Sequence, residues 1–200
     1  MITLYFAPRT RSIRVRWLLE ELGVPHQLKR VDFKAPTQSF DQNTPLGKFP
    51  VIEDDGVTIG ESGAIVEYIV ERYGNGRLAP PIGSPLRGPY LQWVHFAEAT
   101  AFAPVGVIVW HTLFAQDADS IPSAIAGARK RAHSALSFVE RGLAGKEYLL
   151  GAEFSAADIM MGYTLIAARS LVGFDDGYPN IRRYLARLEA RPALQASAEF

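Results

Sequence analysis

The spacing of apolar residues changes several times over the first third of the chain. Ile2 to Phe6 is a short, β-rich apolar run. SIRVRWLLEELG follows, with Ile13, Trp17 and Leu18 on one helical stripe and Gly23 as a natural stop. His26 to Val31 reads as a second strand, and Thr37 to Gln42 as at most a short helix. Val51-Ile52-Glu53 and Val57-Thr58-Ile59 flank Asp54-Asp55-Gly56, a hairpin signal. Ser62 to Tyr73 predicts a helix that ends at Gly74. The order βαβαββα describes a mixed sheet with helices packed against it.

RLAPPIGSPLRGP, rich in proline and glycine, then interrupts the pattern. Beyond it no convincing strand run remains. Helical stretches begin near Pro85, Pro122, Ser155 and Pro179, with breaks expected at Pro104, from Gly142 to Gly145 and from Gly173 to Gly177. The fold class is therefore α/β plus all-α: a first domain over residues 1–77, a linker over 78–86, and an all-helical domain over 87–200. Ser155-x-x-Asp158 is a capping box ahead of an apolar helix, with Asp in place of the usual Glu, and reads as structural.

Composition narrows the chemistry. Lys plus Arg and Asp plus Glu both total 21, so the formal net charge is zero and nothing global favours nucleic acid or an anionic membrane. No apolar run is long enough to span a bilayer. MITLYFAPRTRS lacks the regions of a secretory signal, so the expected compartment is the cytoplasm. There is no cysteine, which excludes structural disulfides, thiolate metal sites and a protein thiol as nucleophile. His26, His95, His111 and His133 have no metal-ligand spacing, so no metal is expected, and there is no Gly-rich phosphate loop.

Two steps carry the candidate chemistry. Pro50 stands where a strand begins, a position that tolerates its missing N–H. A trans bond would make it a simple strand start. A cis bond would turn Phe49 so that its main chain pairs with an extended peptide. Glu61-Ser62 stands at a helix mouth. Capping explains both residues, since Ser is a good N-cap and acids favour the first turn. The same mouth also suits an amino-acid head: helix N–H groups and the Ser62 hydroxyl for a carboxylate, Glu61 for an ammonium.

These elements, in this order, resemble the cytosolic glutathione transferases of bacterial type. PRTRSIRVRWLLEELGV resembles the first loop and helix of that family. NTPLGKFPVIEDDGVTIGESGAIVEYIVERY resembles its glutathione-binding half, YLLGAEFSAADIMMGYTL its capped core helix, and YPNIRRYLARLEARPALQ its C-terminal helices. The resemblance implies a thioredoxin-like first domain and glutathione as co-substrate. It implies that Glu61 and Ser62 hold the γ-glutamyl group, that the Phe49 main chain pairs with the cysteinyl unit beside a cis Pro50, and that Lys48 reaches the glycyl carboxylate. Part of the aromatic stretch of the helical domain, including Phe102 and Val105, would wall a pocket for the second substrate together with Phe6 and Ala7. A homodimer is implied as well, with Thr100 and Glu98 near the neighbouring subunit's γ-glutamyl site.

The reaction needs a thiolate, and a hydroxyl or cation near the sulfur favours it. Tyr5 has the gapless match to the family's tyrosine position. Ser12 and Thr10 lie near its serine position, and Arg11 stands about where other members carry cysteine. Ser12, at a helix start, ranks first, then Thr10 and Arg11, then Tyr5. The expected function is conjugation of glutathione to small apolar electrophiles in detoxification, with peroxide reduction as a side activity. The alternative is a non-catalytic protein of the same fold that binds apolar ligands or partner proteins.

Overall fold

The computed structural model describes residues 1–31, 47–173 and 177–198. The expected short helix at Thr37 to Gln42 lies outside them. The chain separates into two compact units, one of Met1–Pro80 with Glu189–Phe200 and one of Pro81–Leu188.

The first unit is built on a four-stranded sheet: β1 (Ile2–Phe6), β2 (His26–Arg30), β3 (Val51–Asp54) and β4 (Val57–Gly60), in the order β2-β1-β3-β4. β1 and β2 run parallel and the other pairs antiparallel. A parallel pair needs a crossover, and α1 (Ser12–Leu22) supplies it. Gly23 ends α1 in the left-handed conformation, φ 66°, that glycine adopts without steric cost. The β3–β4 hairpin turns through Asp55 and Gly56, both with positive φ, as a two-residue Asp-Gly loop requires.

α2 (Ser62–Tyr73) packs on α1 and the sheet, with Ile65, Val66, Ile69 and Val70 buried. Its far end is held to the hairpin, because the Tyr68 and Tyr73 hydroxyls both donate to the buried Asp54 carboxylate. Burial first, and then that carboxylate, hold the Tyr68 hydroxyl above its usual pKa; for Tyr73 the hydrogen bond itself is the larger cause.

The second unit is helical: α3 (Arg87–Phe114), α4 (Pro122–Gly142), α5 (Ala156–Leu171) and α6 (Pro179–Glu189). The predicted break at Pro104 does not occur. Wider π-type turns over Phe96–Phe102 and Trp110–Phe114 flank an α segment carrying Pro104 in its first turn. Proline lacks the N–H an α-helix would use there, and the widened turn ahead of it accommodates the missing bond. Joined in this way, α3 is 28 residues long and apolar enough by length and composition to cross a bilayer, contrary to the expectation that no apolar run is long enough. Trp93, Val94, Ala97, Phe102, Val105 and Ile108 of this helix are instead buried in the bundle.

α5 is buried on nearly every side, and the expected capping box opens it. Asp158 accepts from the Ser155 N–H at 2.8 Å, the Ser155 hydroxyl at 2.9 Å, the Leu149 N–H at 2.9 Å and the Tyr184 hydroxyl at 2.8 Å. The last helix, α7 (Pro192–Ser197), was expected within the all-helical domain. It groups with the first unit, packed on α1. Arg191 just ahead of it grips Glu21 of α1 through two hydrogen bonds, at 2.6 and 2.8 Å.

Candidate functional site

Three segments of the first unit meet at one end of its sheet: the turn from β1 into α1, residues 47–50 ahead of β3, and the step from β4 into α2. Strand register brings them together. Tyr5 lies across from Val51, and Val51 across from Gly60. The chain leaving β1, entering β3 and leaving β4 is therefore side by side. Tyr5, Ala7, Phe49 and Val51 close the junction as one buried cluster.

The Phe49-Pro50 bond is cis. Pro50 ends the ladder without interrupting it, since pairing of β1 with β3 begins at Val51. Lys48 is exposed beside it.

Simple capping does not account for Glu61 and Ser62. Glu61 occupies the N-cap of α2, yet no side chain among the described residues caps this helix. Glu61 is exposed and sits at φ 63°, ψ 113°, a conformation that L-residues seldom adopt. Strain of this kind collects at ligand sites. Ser62 is only 3% exposed, and its Oγ accepts a hydrogen bond of 2.9 Å from Nη1 of Arg14. The mouth of α2 thus carries an exposed carboxylate, a serine held from behind, and the positive end of the helix dipole.

The candidate sulfur-activating hydroxyls fall into two groups. Ser12 is fully buried as the first residue of α1, with Arg11 at the N-cap, so Ser12 is not the cap. Its Oγ donates to the Ala7 carbonyl at 2.9 Å and accepts from the Ala7 N–H at 3.2 Å. Thr10 is half-buried; its Oγ1 donates to the same carbonyl at 2.7 Å and lies 2.6 Å from Ser12 Oγ. Arg11 is half-buried in the same turn. Tyr5 is in a different setting. Its hydroxyl donates to Glu53 at 2.7 Å and accepts from Lys29 at 3.1 Å, and its ring lies under the Lys29 ammonium.

The residues expected to wall a second-substrate pocket are all interior within their own units. Phe6 and Ala7 are fully buried, Val105 nearly so, and Phe102 stacks on Tyr163 at 5.9 Å. Exposed aromatic and aliphatic surface lies further along α3, at Trp110, Leu113 and Phe114, with Trp110 stacked on Phe114.

Arg14 was missed by the sequence reading. It is fully buried and reaches across to α2. The signal was a charged residue at helical spacing, i to i+3 and i+4, from Trp17 and Leu18 on the buried stripe. Charges at such positions are rarely buried without a partner.

The sequence profile for the glutathione S-transferase N-terminal domain matches residues 1–71, and that for the C-terminal domain matches residues 122–187. The chain is 33% identical to Glutathione S-transferase 3 of Schizosaccharomyces pombe, over all of this chain and 87% of that protein. Among solved structures it is similar to a glutathione transferase family member from Pseudomonas fluorescens with two glutathione bound, at a TM-score of 0.87 and 28% identity over 98% of this chain and 91% of that one. It is also similar to a glutathione transferase from Pseudomonas putida with one glutathione disulfide bound per subunit, at a TM-score of 0.87 and 26% identity over the whole chain and 91% of that one.

Proposed function

We propose that this chain, which belongs to the glutathione S-transferase family, binds glutathione at the three-segment junction and conjugates it, through its thiolate sulfur, to small apolar electrophiles. The observation that carries this reading is the α2 mouth. Ser62 is held by Arg14, and the strained, exposed Glu61 stands beside it. The α-carboxylate of the γ-glutamyl group would sit on the N–H groups of the first turn and on the Ser62 hydroxyl, with its ammonium on Glu61. The cysteinyl unit would pair with the Phe49 main chain, and Lys48 would meet the glycyl carboxylate.

The sulfur then lies toward the β1–α1 turn. Ala7 packs with Phe49, and the Thr10 and Ser12 hydroxyls are anchored on the Ala7 main chain. A hydroxyl donating there favours thiolate over thiol, and each tenfold gain in thiolate corresponds to about 1.4 kcal/mol. The thiolate attacks the electrophilic carbon, the carbon–sulfur bond forms as the leaving group departs with its electron pair, and no protein nucleophile is needed. Detoxification in the cytoplasm is the setting this chemistry suits.

Isothermal calorimetry with glutathione tests the site. Ser62→Ala removes a hydrogen bond to a charged group, worth about 1.5–3 kcal/mol, so the Kd is expected to rise roughly tenfold or more. An unchanged Kd would place glutathione elsewhere. A conjugation assay with an activated aryl halide tests turnover, and binding without turnover would favour the non-catalytic alternative.

A further inference from the structure

Arg14 is the one basic side chain among the described residues that is fully buried while donating to a residue of the candidate site. A guanidinium carries only donors. Ser62 Oγ has one proton and two lone pairs, and Nη1 of Arg14 occupies one lone pair at 2.9 Å. The Ser62 proton therefore cannot be spent on Arg14. A backbone carbonyl or carboxylate in the same place would take that proton and turn the hydroxyl away from an incoming anion. The arginine does the opposite: it fixes the oxygen from behind and leaves the proton for an acceptor at the helix mouth.

We infer that Arg14 is a positioning residue for the γ-glutamyl α-carboxylate: without touching the ligand, it aims the Ser62 hydroxyl at it. This rests on the glutathione reading above. A lysine would not serve equally, since a flexible ammonium does not hold a hydroxyl in one direction as a rigid fork does.

The experiment is a calorimetric comparison of two ligands. One is glutathione; the other is γ-aminobutyryl-cysteinyl-glycine, which lacks only the carboxylate in question. The wild type is expected to prefer glutathione by about tenfold or more. Arg14→Met is expected to cut that preference at least about fivefold while changing the Kd for the analogue less than about twofold. In a Ser62→Ala background the same substitution is expected to cost less than about twofold more, because the two side chains act as one unit. A role limited to folding predicts equal losses for both ligands and full additivity with Ser62→Ala, and that result overturns the proposal alone. A wild type that binds glutathione no better than the analogue also overturns it. A wild type that binds neither ligand overturns the glutathione reading and this proposal together. Should Arg14→Met fail to fold, Arg14→Lys makes the same comparison, with part of the preference lost and melting near that of the wild type.

Discussion

Thr10 Oγ1 and Ser12 Oγ lie 2.6 Å apart, and both reach the carbonyl of Ala7. Two hydroxyl protons thus face three short contacts. Either proton can serve Ala7 while the other is released, so the pair can free one donor at the cost of about one neutral hydrogen bond, ~1 kcal/mol, against ~1.5–3 kcal/mol for a bond to a thiolate. Exposure distinguishes them. Ser12 is fully buried, whereas Thr10 is half-open. This moves the weight from Ser12, ranked first on sequence, to Thr10.

Thr10→Val is therefore expected to raise the apparent thiol pKa of bound glutathione by about a unit or more, and Thr10→Ser to restore it. Ser12→Ala is expected to act mainly on stability, because it strips the partner from a buried Ala7 N–H, at about 1–3 kcal/mol. Thiolate absorbance against pH and a denaturant titration separate the two effects. A pKa rise in Ser12→Ala without one in Thr10→Val reverses the assignment. Tyr5→Phe is expected to leave the thiol pKa unchanged, since its hydroxyl is bonded to Glu53 and Lys29.

Asp158 fixes the start of α5 through four donors. Asp158→Ala orphans buried donors on three residues and is expected to cost about 3–5 kcal/mol, a large share of the stability of an ordinary domain. Burial pushes the Asp158 carboxyl above its usual value of 3.8, outweighing the hydrogen bonds that pull it down. The folded chain then holds this proton more tightly than the unfolded one. The linked stability is fully present below the unfolded value and is lost as pH rises through the folded one. The stability advantage of wild type over Asp158→Asn is expected to shrink as pH rises from about 3.8 upward, measured by urea denaturation across that range. An advantage that grows with pH contradicts the account.

Local chemistry made much of this legible in the sequence. Asp55-Gly56 needs positive φ and forms the turn, Gly23 and Gly74 end their helices, and Ser155 with Asp158 closes a box. The readings that failed depended on partners distant in sequence or on several weak signals combined. Ser62 looked like a cap because the residue that claims its oxygen, Arg14, lies 48 positions away. Pro104 looked like a break because a π-type turn leaves no mark in hydrophobic spacing. α7 joined the first unit because Arg191 and Glu21, 170 positions apart, pair.

That last pair gives a stability prediction. Glu21 is nearly buried and accepts from Arg191 twice and from Trp17 Nε1 once. Arg191→Ala leaves the carboxylate with one donor and is expected to cost about 1–3 kcal/mol, or roughly 2–4 °C in Tm per kcal/mol for a chain of this size. Arg191→Lys is expected to recover less than half, because it cannot make the two-point grip. Differential scanning calorimetry reads both, and equal melting of Arg191→Lys and wild type refutes the grip.

The last prediction concerns assembly. A groove of about 620 Å³ runs between α3 and α4, floored by Phe96, Ala99, Thr100, Ala103, Pro104 and Val107 on one side and by Ala135 and Phe138 on the other. Arg131, Ser134 and Arg141 line its α4 side. Ala99, Thr100 and Ala103 are exposed, and Phe138 is 38% exposed with its ring tilted against that of Phe96, 4.9 Å between centroids. Small residues at this face let a second helix approach closely, and the apolar floor gives it something to cover. We propose that a second copy of the chain covers it about a two-fold axis, with Thr100 near the neighbour's γ-glutamyl site. Light scattering is expected to give a dimer at micromolar concentration. Ala103→Arg puts a charge and a long side chain where the partner would pack, and is expected to weaken the dimer about a hundredfold or more while leaving the fold intact, as read by circular dichroism. Thr100→Ala is expected to weaken glutathione binding in the dimer and to have no effect in the Ala103→Arg background. A wild type that stays monomeric at that concentration removes the second copy from this face.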